Sequence, residues 1–166
     1  MTFNLRIELE YDFVEQPLDI TIQLNDNNLF SGMLDTNMFE FICDSHPACT
    51  LKIYMHNKPI IGTLVDDCGN IVKDTFIKIK QVEIDRRYLK AAVIDCGKTV
   101  YYTGEVHPKN NYISQNGYYE LAFTMPINQF LQNYYDSFDS YKLQGLDEEL
   151  AEVNNLLNKM DSKNNF

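Results

Sequence analysis

The chain has no tryptophan, no Cys-x-x-Cys pair, and 14 basic residues against 24 acidic ones. Each shortage excludes something. A net charge of −10 argues against nucleic acid as a direct partner, because phosphate binding needs clustered Lys and Arg. The same charge disfavours an anionic membrane surface. No apolar run approaches the ~18 residues of a membrane span. Cys43, Cys49, Cys68 and Cys96 lack the spacing of a zinc knuckle. The opening MTFNLRIELEYD has neither a basic stretch nor an apolar one of the kind that exports a chain. The expectation is therefore synthesis in the cytosol with reduced cysteines. No P-loop, G-x-S-x-G, H-E-x-x-H or G-x-G-x-x-G occurs. His46, His56 and His107 are scattered, and the 24 acidic residues single out no catalytic pair. The reading is a protein that is not an enzyme.

What is present is aromatic and alternating. Eleven Tyr and ten Phe point to a sheet-based core. Phe3, Leu5, Ile7, Leu9, Tyr11 and Phe13 alternate with Asn4, Arg6, Glu8, Glu10 and Asp12, the cleanest strand pattern in the chain. Its outward charges suit an edge strand. Ile20, Ile22 and Leu24 follow as a second strand, and Asn25–Asn28 as a turn. Shorter strands are expected over Leu29–Leu34 and Phe39–Cys43. Leu51, Ile53 and Met55 alternate with Lys52, Tyr54 and His56 until Pro59 ends the run. Asp66-Asp67-Cys68-Gly69-Asn70 reads as a turn. Ile77 and Ile79 then share one parity, while Val82 and Ile84 share the other. That switch predicts a bulge near Lys80–Gln81. Asn116-Gly117 is the strongest hairpin signal, and Tyr119, Leu121, Phe123 and Met125 form the last strand.

Periodicity changes at Pro126. Ile127, Phe130, Leu131, Tyr134 and Phe138 recur at helical spacing, with Pro126 suited to the first helical position. Beyond Gly145, Leu146, Leu150, Val153, Leu157 and Met160 are spaced 4, 3, 4, 3, an a/d seam that predicts an assembly interface. The fold class is all-β: a jelly-roll or β-sandwich body with C-terminal helices. The divisions are 1–125 for the sandwich, 126–144 for a helix packed on it, and 145–166 for a helical arm.

Two further constellations carry chemistry. Asp66, Asp67, Asn70 and Asp74 present several oxygens, the ligand type of Ca²⁺, without EF-hand spacing. No other cofactor is implied. Tyr101-Tyr102 and Tyr118-Tyr119 place one ring of each pair outward on strands, where it would stack on a sugar or fill an interface. All four tyrosines are candidate stacking residues.

The run Asn57-Lys58, Thr63-x-Val65-Asp66-x-x-Gly69-Asn70-Ile71-Val72-x-Asp74, then Ile77-x-Ile79-x-x-Val82-x-Ile84-Asp85 resembles small β-sandwich proteins of tailed bacteriophages. These are often akin to carbohydrate-binding modules of the jelly-roll type. Gly104-Glu105-x-His107-Pro108, Asn111-Tyr112, Gly117 and Leu121-x-Phe123 fit the same pattern. Where the related pattern often has Gly after Ile-Asp, this chain has Arg86. The resemblance implies a structural or accessory protein of a virion, made in the host cytoplasm and placed on head, neck, tail or baseplate. Its partners would be other virion proteins or its own copies. The alternative is a carbohydrate-binding module that contacts host glycans, with Ca²⁺ at the Asp66–Asp74 turn.

Overall fold

The structure is a computed structural model and describes residues 1–59 and 62–137. The sandwich occupies the compact unit Met1–Gln129. Its body is all-β, of the jelly-roll class, built from two sheets and a separate two-stranded hairpin.

The first sheet contains β1 (Thr2–Asp12), β4 (Met38–Asp44), β8 (Phe76–Ile84) and β12 (Tyr112–Ile113), in the order β12-β8-β1-β4. The short β9 (Arg87–Tyr88) pairs with β8. The second sheet has six strands: β2 (Asp19–Leu24), β3 (Asn27–Met33), β5 (Ala48–His56), β10 (Gly97–Tyr101), β11 (Val106–Pro108) and β13 (Gly117–Thr124). Their order is β11-β10-β13-β5-β2-β3. The hairpin is β6 (Thr63–Val65) with β7 (Ile71–Asp74). The helix α1 covers Lys90–Asp95, and α2 runs over 127–137 within the described residues. Pro126 stands one residue before α2, after a cis bond from Met125.

The core is what alternation predicts. Leu5, Ile7 and Leu9 of β1, Ile20 and Ile22 of β2, Leu51, Ile53 and Met55 of β5, and Ile77 and Ile79 of β8 are all buried. The two sheets meet through such pairs as Phe3 and Phe123, whose rings lie edge to face at 6.4 Å. All four cysteines are free thiols; Cys43 and Cys49 are buried and Cys68 and Cys96 exposed.

The parity switch in β8 is resolved as a bulge. Glu8 pairs with Gln81 and Leu9 with Ile79, which leaves Lys80 as the extra residue. Lys80 is thereby turned outward, and its ammonium reaches Glu8 at 3.0 Å.

Two expectations are corrected. First, β1 is not an edge strand; it lies between β4 and β8. Its charges belong to the solvent face of the sheet, where Arg6 meets Glu40 at 3.2 Å and Lys78 meets Glu10 at 3.8 Å. After Arg86 the chain forms a two-residue strand and then α1. Asp85 and Arg86 both take positive φ, 46° and 65°, so the turn forms without the glycine of the related pattern. Cys96 then caps α1 and Gly97 opens β10. Second, Asn116-Gly117 is not a hairpin turn. It links β12 of one sheet to β13 of the other, and neither residue has positive φ. The glycine is required for closeness instead. A Cβ on Gly117 would run into the Val100 carbonyl and lie 2.8 Å from the Tyr101 Cα.

Candidate functional site

The outer surface of the six-stranded sheet is set by the register of its strands. Thr21 pairs with Ser31 on one side and Tyr54 on the other. Tyr54 pairs with Tyr118, and Tyr118 with Val100. Directly opposed residues share a face, so these side chains form one row across the sheet. The inward parity of the same strands is buried, which sends this row to solvent.

Two aromatic rings occupy the middle of the row. The centroids of Tyr54 and Tyr118 are 5.1 Å apart with a 40° tilt. His56, two residues along β5, stacks on Tyr54 at 5.9 Å and 6°. Polar groups surround the rings. The His56 Nε2 lies 3.1 Å from the Thr21 hydroxyl, and that hydroxyl lies 3.2 Å from Ser31 Oγ. In the next row, Lys98 pairs with Glu120 at 2.8 Å, and the Lys52 ammonium sits 5.9 Å from the centre of the Tyr118 ring. Burial raises the Tyr54 phenol, opposed by the charge of Lys52. The phenol therefore stays protonated at neutral pH and keeps its donor.

At one end of this face lies a cleft of about 610 Å³, lined by Lys58, Thr63, Asp74, Tyr102, Ser114 and Asn116 among others. Its floor is an ion-pair knot. The Lys58 ammonium donates to Asp74 Oδ1 at 2.9 Å, to the Thr75 carbonyl at 2.9 Å and to the Ser114 carbonyl at 2.6 Å. Three protons meet three acceptors. Thr63 donates to the same Asp74 oxygen at 2.6 Å. The Lys58 backbone N–H donates to Asn116 Oδ1 at 2.7 Å. The knot joins the end of β5, the base of the β6–β7 hairpin and the β12–β13 link.

Burial pushes the Asp74 carboxyl up, but the hydrogen bonds from Thr63 and Lys58 and the charge of Lys58 outweigh it and hold it below its ordinary value. It is a carboxylate at neutral pH, not an acid poised to give a proton. A group whose folded value is depressed stabilises the fold above its unfolded pKa, near 4. That contribution is lost as pH falls through the folded value. Thermal unfolding followed from pH 7 downward is expected to show a fall in midpoint below about pH 4, and the fall should be smaller in Asp74→Asn.

Tyr101, Tyr118 and Tyr119 divide as strand alternation requires, and Tyr102 lies in the turn after β10. Tyr102 is 58% exposed, whereas Tyr101 is 5% and Tyr119 0% exposed. Tyr101 and Tyr119 are corrected to core residues, because successive strand side chains alternate faces. Tyr119 donates to the Val93 carbonyl at 2.7 Å. Tyr118 is half-buried in the row just described. Tyr54 and His56 were not among the sequence candidates. The available signal was their place at the polar parity of β5, where an aromatic ring has no core to enter.

The acidic turn does not assemble a cation site. Asp66 Oδ1 accepts from the backbone of Cys68 at 2.9 Å and of Asn70 at 2.8 Å, and Oδ2 accepts from the Asn70 amide at 3.0 Å. Asp74 pairs with Thr63 at the hairpin base, about 10 Å along the strand from Asp66 at its tip. Its Oδ1 is filled by Lys58 and Thr63. Among the described residues no group of three or more His, Cys, Asp or Glu side chains converges as metal ligands do. The set Asp66, Asp67, Asn70 and Asp74 does not fit Ca²⁺ as arranged. The seam Leu146, Leu150, Val153, Leu157 and Met160 lies outside the described residues.

The fold defines this chain as an all-β sandwich protein of the jelly-roll class. No family model and no curated protein matches the chain. Two solved structures are similar to it. One is a selenomethionine form of vCBM60, from work on a circular permutation linking two families of calcium-dependent carbohydrate binding modules. It is 9% identical, covers 72% of this chain and 89% of its own, and has a TM-score of 0.46. The other is vCBM60 in complex with galactobiose, 10% identical over 73% of this chain and 97% of its own, with a TM-score of 0.42. Calcium dependence and galactobiose are properties of vCBM60.

Proposed function

We propose that this protein is a non-catalytic glycan-binding module that uses the outer face of its six-stranded sheet. The observation that carries this reading is the Tyr54–Tyr118 pair in the middle of that face. A sugar ring has an apolar C–H face and a rim of hydroxyls. A tyrosine offers a matching apolar body with a polar tip. The hydroxyls of Thr21 and Ser31 stand in the tyrosine row, and the His56 imidazole and the Glu120 carboxylate in the rows on either side of it, to meet the rim. These are the few polar groups that fix orientation in a small-ligand site.

The binding needs no metal from Asp66, Asp67, Asn70 or Asp74. The expected result is glycan retention that is unchanged in excess EDTA; loss of retention on chelation would return a cation to the site. A virion setting, expected from the resemblance, would place this face against host surface polysaccharide, and it rests on that resemblance alone.

The first test is amide chemical-shift mapping with a panel of neutral oligosaccharides, galactobiose included. Shifts are expected to centre on β5 and β13 around Tyr54 and Tyr118. Shifts confined to the opposite sheet would contradict the assignment.

A further inference from the structure

The edges of the two sheets are not alike. The first sheet ends in β12 and β4, and the second in β11 and β3. An edge strand offers unpaired N–H and C=O groups, and proteins blunt such edges with short strands, proline or bulges. β12 has two residues, and β11 has three and ends on Pro108. β3 is interrupted by a bulge that leaves Leu29 as the extra residue. β4 has none of these devices. Its seven residues, Met38–Asp44, pair with β1 in one unbroken register.

The free groups of this edge follow from the ladder. Leu9 donates its N–H to the Asn37 carbonyl at 2.8 Å, and Ser45 donates to the Met1 carbonyl at 2.8 Å. In an antiparallel pair such bonded positions recur at every second residue. Phe39, Phe41 and Cys43 therefore turn their backbone groups to β1, and Met38, Glu40, Ile42 and Asp44 turn theirs outward. The Thr36 hydroxyl meets the Met38 N–H at 3.3 Å and its carbonyl at 3.4 Å. Glu40, Ile42 and Asp44 keep three N–H and three C=O groups that no other strand takes up among the described residues.

Their side chains share the outer face of the sheet. Ile42 is 78% exposed and stands between two carboxylates. Arg6 reaches Glu40 at 3.2 Å and stands 3.7 Å from Glu83. The buried Glu83 Oε2 accepts no hydrogen bond among the described residues, so one guanidinium serves two carboxylates. Arg86 lines the same depression, with Asp85 beside it in the chain. Glu40, Asp44, Glu83 and Asp85 against Arg6 and Arg86 leave this edge with an excess of negative charge.

That charge selects the partner. In a pairing of two copies, a two-fold axis at Glu40 sets Glu40 against itself, and one at Ile42 sets Glu40 against Asp44. Like charges directly opposed destabilise a ladder. An axis at Phe41 leaves Glu40 against Ile42, and each copy brings a net charge of −10.

We propose that β4 is a docking edge for an extended basic segment of another protein. The segment adds antiparallel to β4 as a further strand of the first sheet and exchanges backbone hydrogen bonds with Glu40, Ile42 and Asp44. It carries Lys or Arg opposite Glu40 and Asp44, and an apolar side chain opposite Ile42. The tyrosine row belongs to the other sheet, so this docking is independent of the glycan reading.

The test uses the full chain and a fluorescent peptide with Lys-Thr-Val-Thr-Lys at its centre; a control peptide has Glu in place of both Lys. Anisotropy is expected to show the Lys peptide binding at least about tenfold more tightly than the Glu peptide, with amide shifts centred on β4. Glu40→Lys combined with Asp44→Lys should reverse that preference. Ile42→Pro removes one outward N–H and no bond to β1, a change an edge strand tolerates. It should keep the fold by circular dichroism and lose the peptide. A parallel measurement places the change on the peptide: N-methylation of the central Val should abolish binding, and N-methylation of the two Thr should not. A Lys peptide that does not bind, binds no better than the Glu peptide, or shifts amides away from β4 would overturn the proposal. So would binding that persists in folded Ile42→Pro, or equal effects of the two N-methylations.

Discussion

Lys58→Met is expected to destabilise the sandwich by about 1–3 kcal/mol, the cost of leaving the hydrogen-bond partners of a part-buried charge without their donor. The size follows from what the ammonium leaves behind. Asp74 would keep its charge with its side chain only 19% exposed, and the carbonyls of Thr75 and Ser114 would lose their donor. At 12% exposure for Lys58, solvent from the cleft softens the loss only in part. A surface pair would behave otherwise, with a median effect of about 0–1 kcal/mol. The double variant Lys58→Met with Asp74→Leu is expected to regain much of the loss, because an apolar pair of similar size removes the stranded charge. Urea unfolding of the three proteins measures both effects. A single-variant loss below about 1 kcal/mol would show that the knot is wet and does not hold the cleft.

Gly97→Ala is expected to cost about 3 kcal/mol, the upper end for overpacking. The new methyl would meet the Val93 carbonyl, and it would lie 2.6 Å from the Tyr119 hydroxyl. Neither neighbour has room to yield. Val93 is in α1, and Tyr119 is fully buried with its hydroxyl bonded to that same carbonyl. Tyr119→Phe alone should cost less, about 1–3 kcal/mol for a buried carbonyl left without its donor. Combined with Gly97→Ala it should cost less than the sum, since the two changes act on one contact. Strict additivity in chemical denaturation would show that the methyl is accommodated elsewhere.

Both sites explain what was legible in the sequence and what was not. Period-two alternation located β1, β5 and β8 because each strand buries one whole face. The parity slip between Ile79 and Val82 even located the bulge at Lys80. These are local signals. The Asn116-Gly117 signal is local too, and it misled. Its glycine answers to Val100 and Tyr101 on a neighbouring strand, a closeness that no window around residue 117 contains. The edge assignment of β1 failed for a related reason: outward charges mark a solvent face equally well, and only the pairing with β4 and β8 decides between them.

The candidate site divides the same way. Outward Tyr118 follows from alternation once its strand is placed, whereas Tyr102 owes its exposure to the turn after β10. Tyr54 becomes part of a site only when β5 is paired with β13, which brings together residues 64 positions apart. The Lys58 knot likewise needs the hairpin base, the Ser114 carbonyl and the end of β5 in one place. The acidic turn shows the converse. Asp66 and Asp74 are close in sequence, yet the β6–β7 ladder holds one at the tip and the other at the base.

The central claim is that the Tyr54–Tyr118 face binds glycan, and an immobilised glycan array probed with wild type, Tyr54→Ala and Tyr118→Ala tests it most directly. Both rings are half-buried on the outer face, so either variant should stay folded. The account predicts binding by wild type to a subset of neutral glycans, and about a tenfold loss in each variant for the same subset. Wild-type binding that survives both substitutions, or no binding by any of the three, would contradict it.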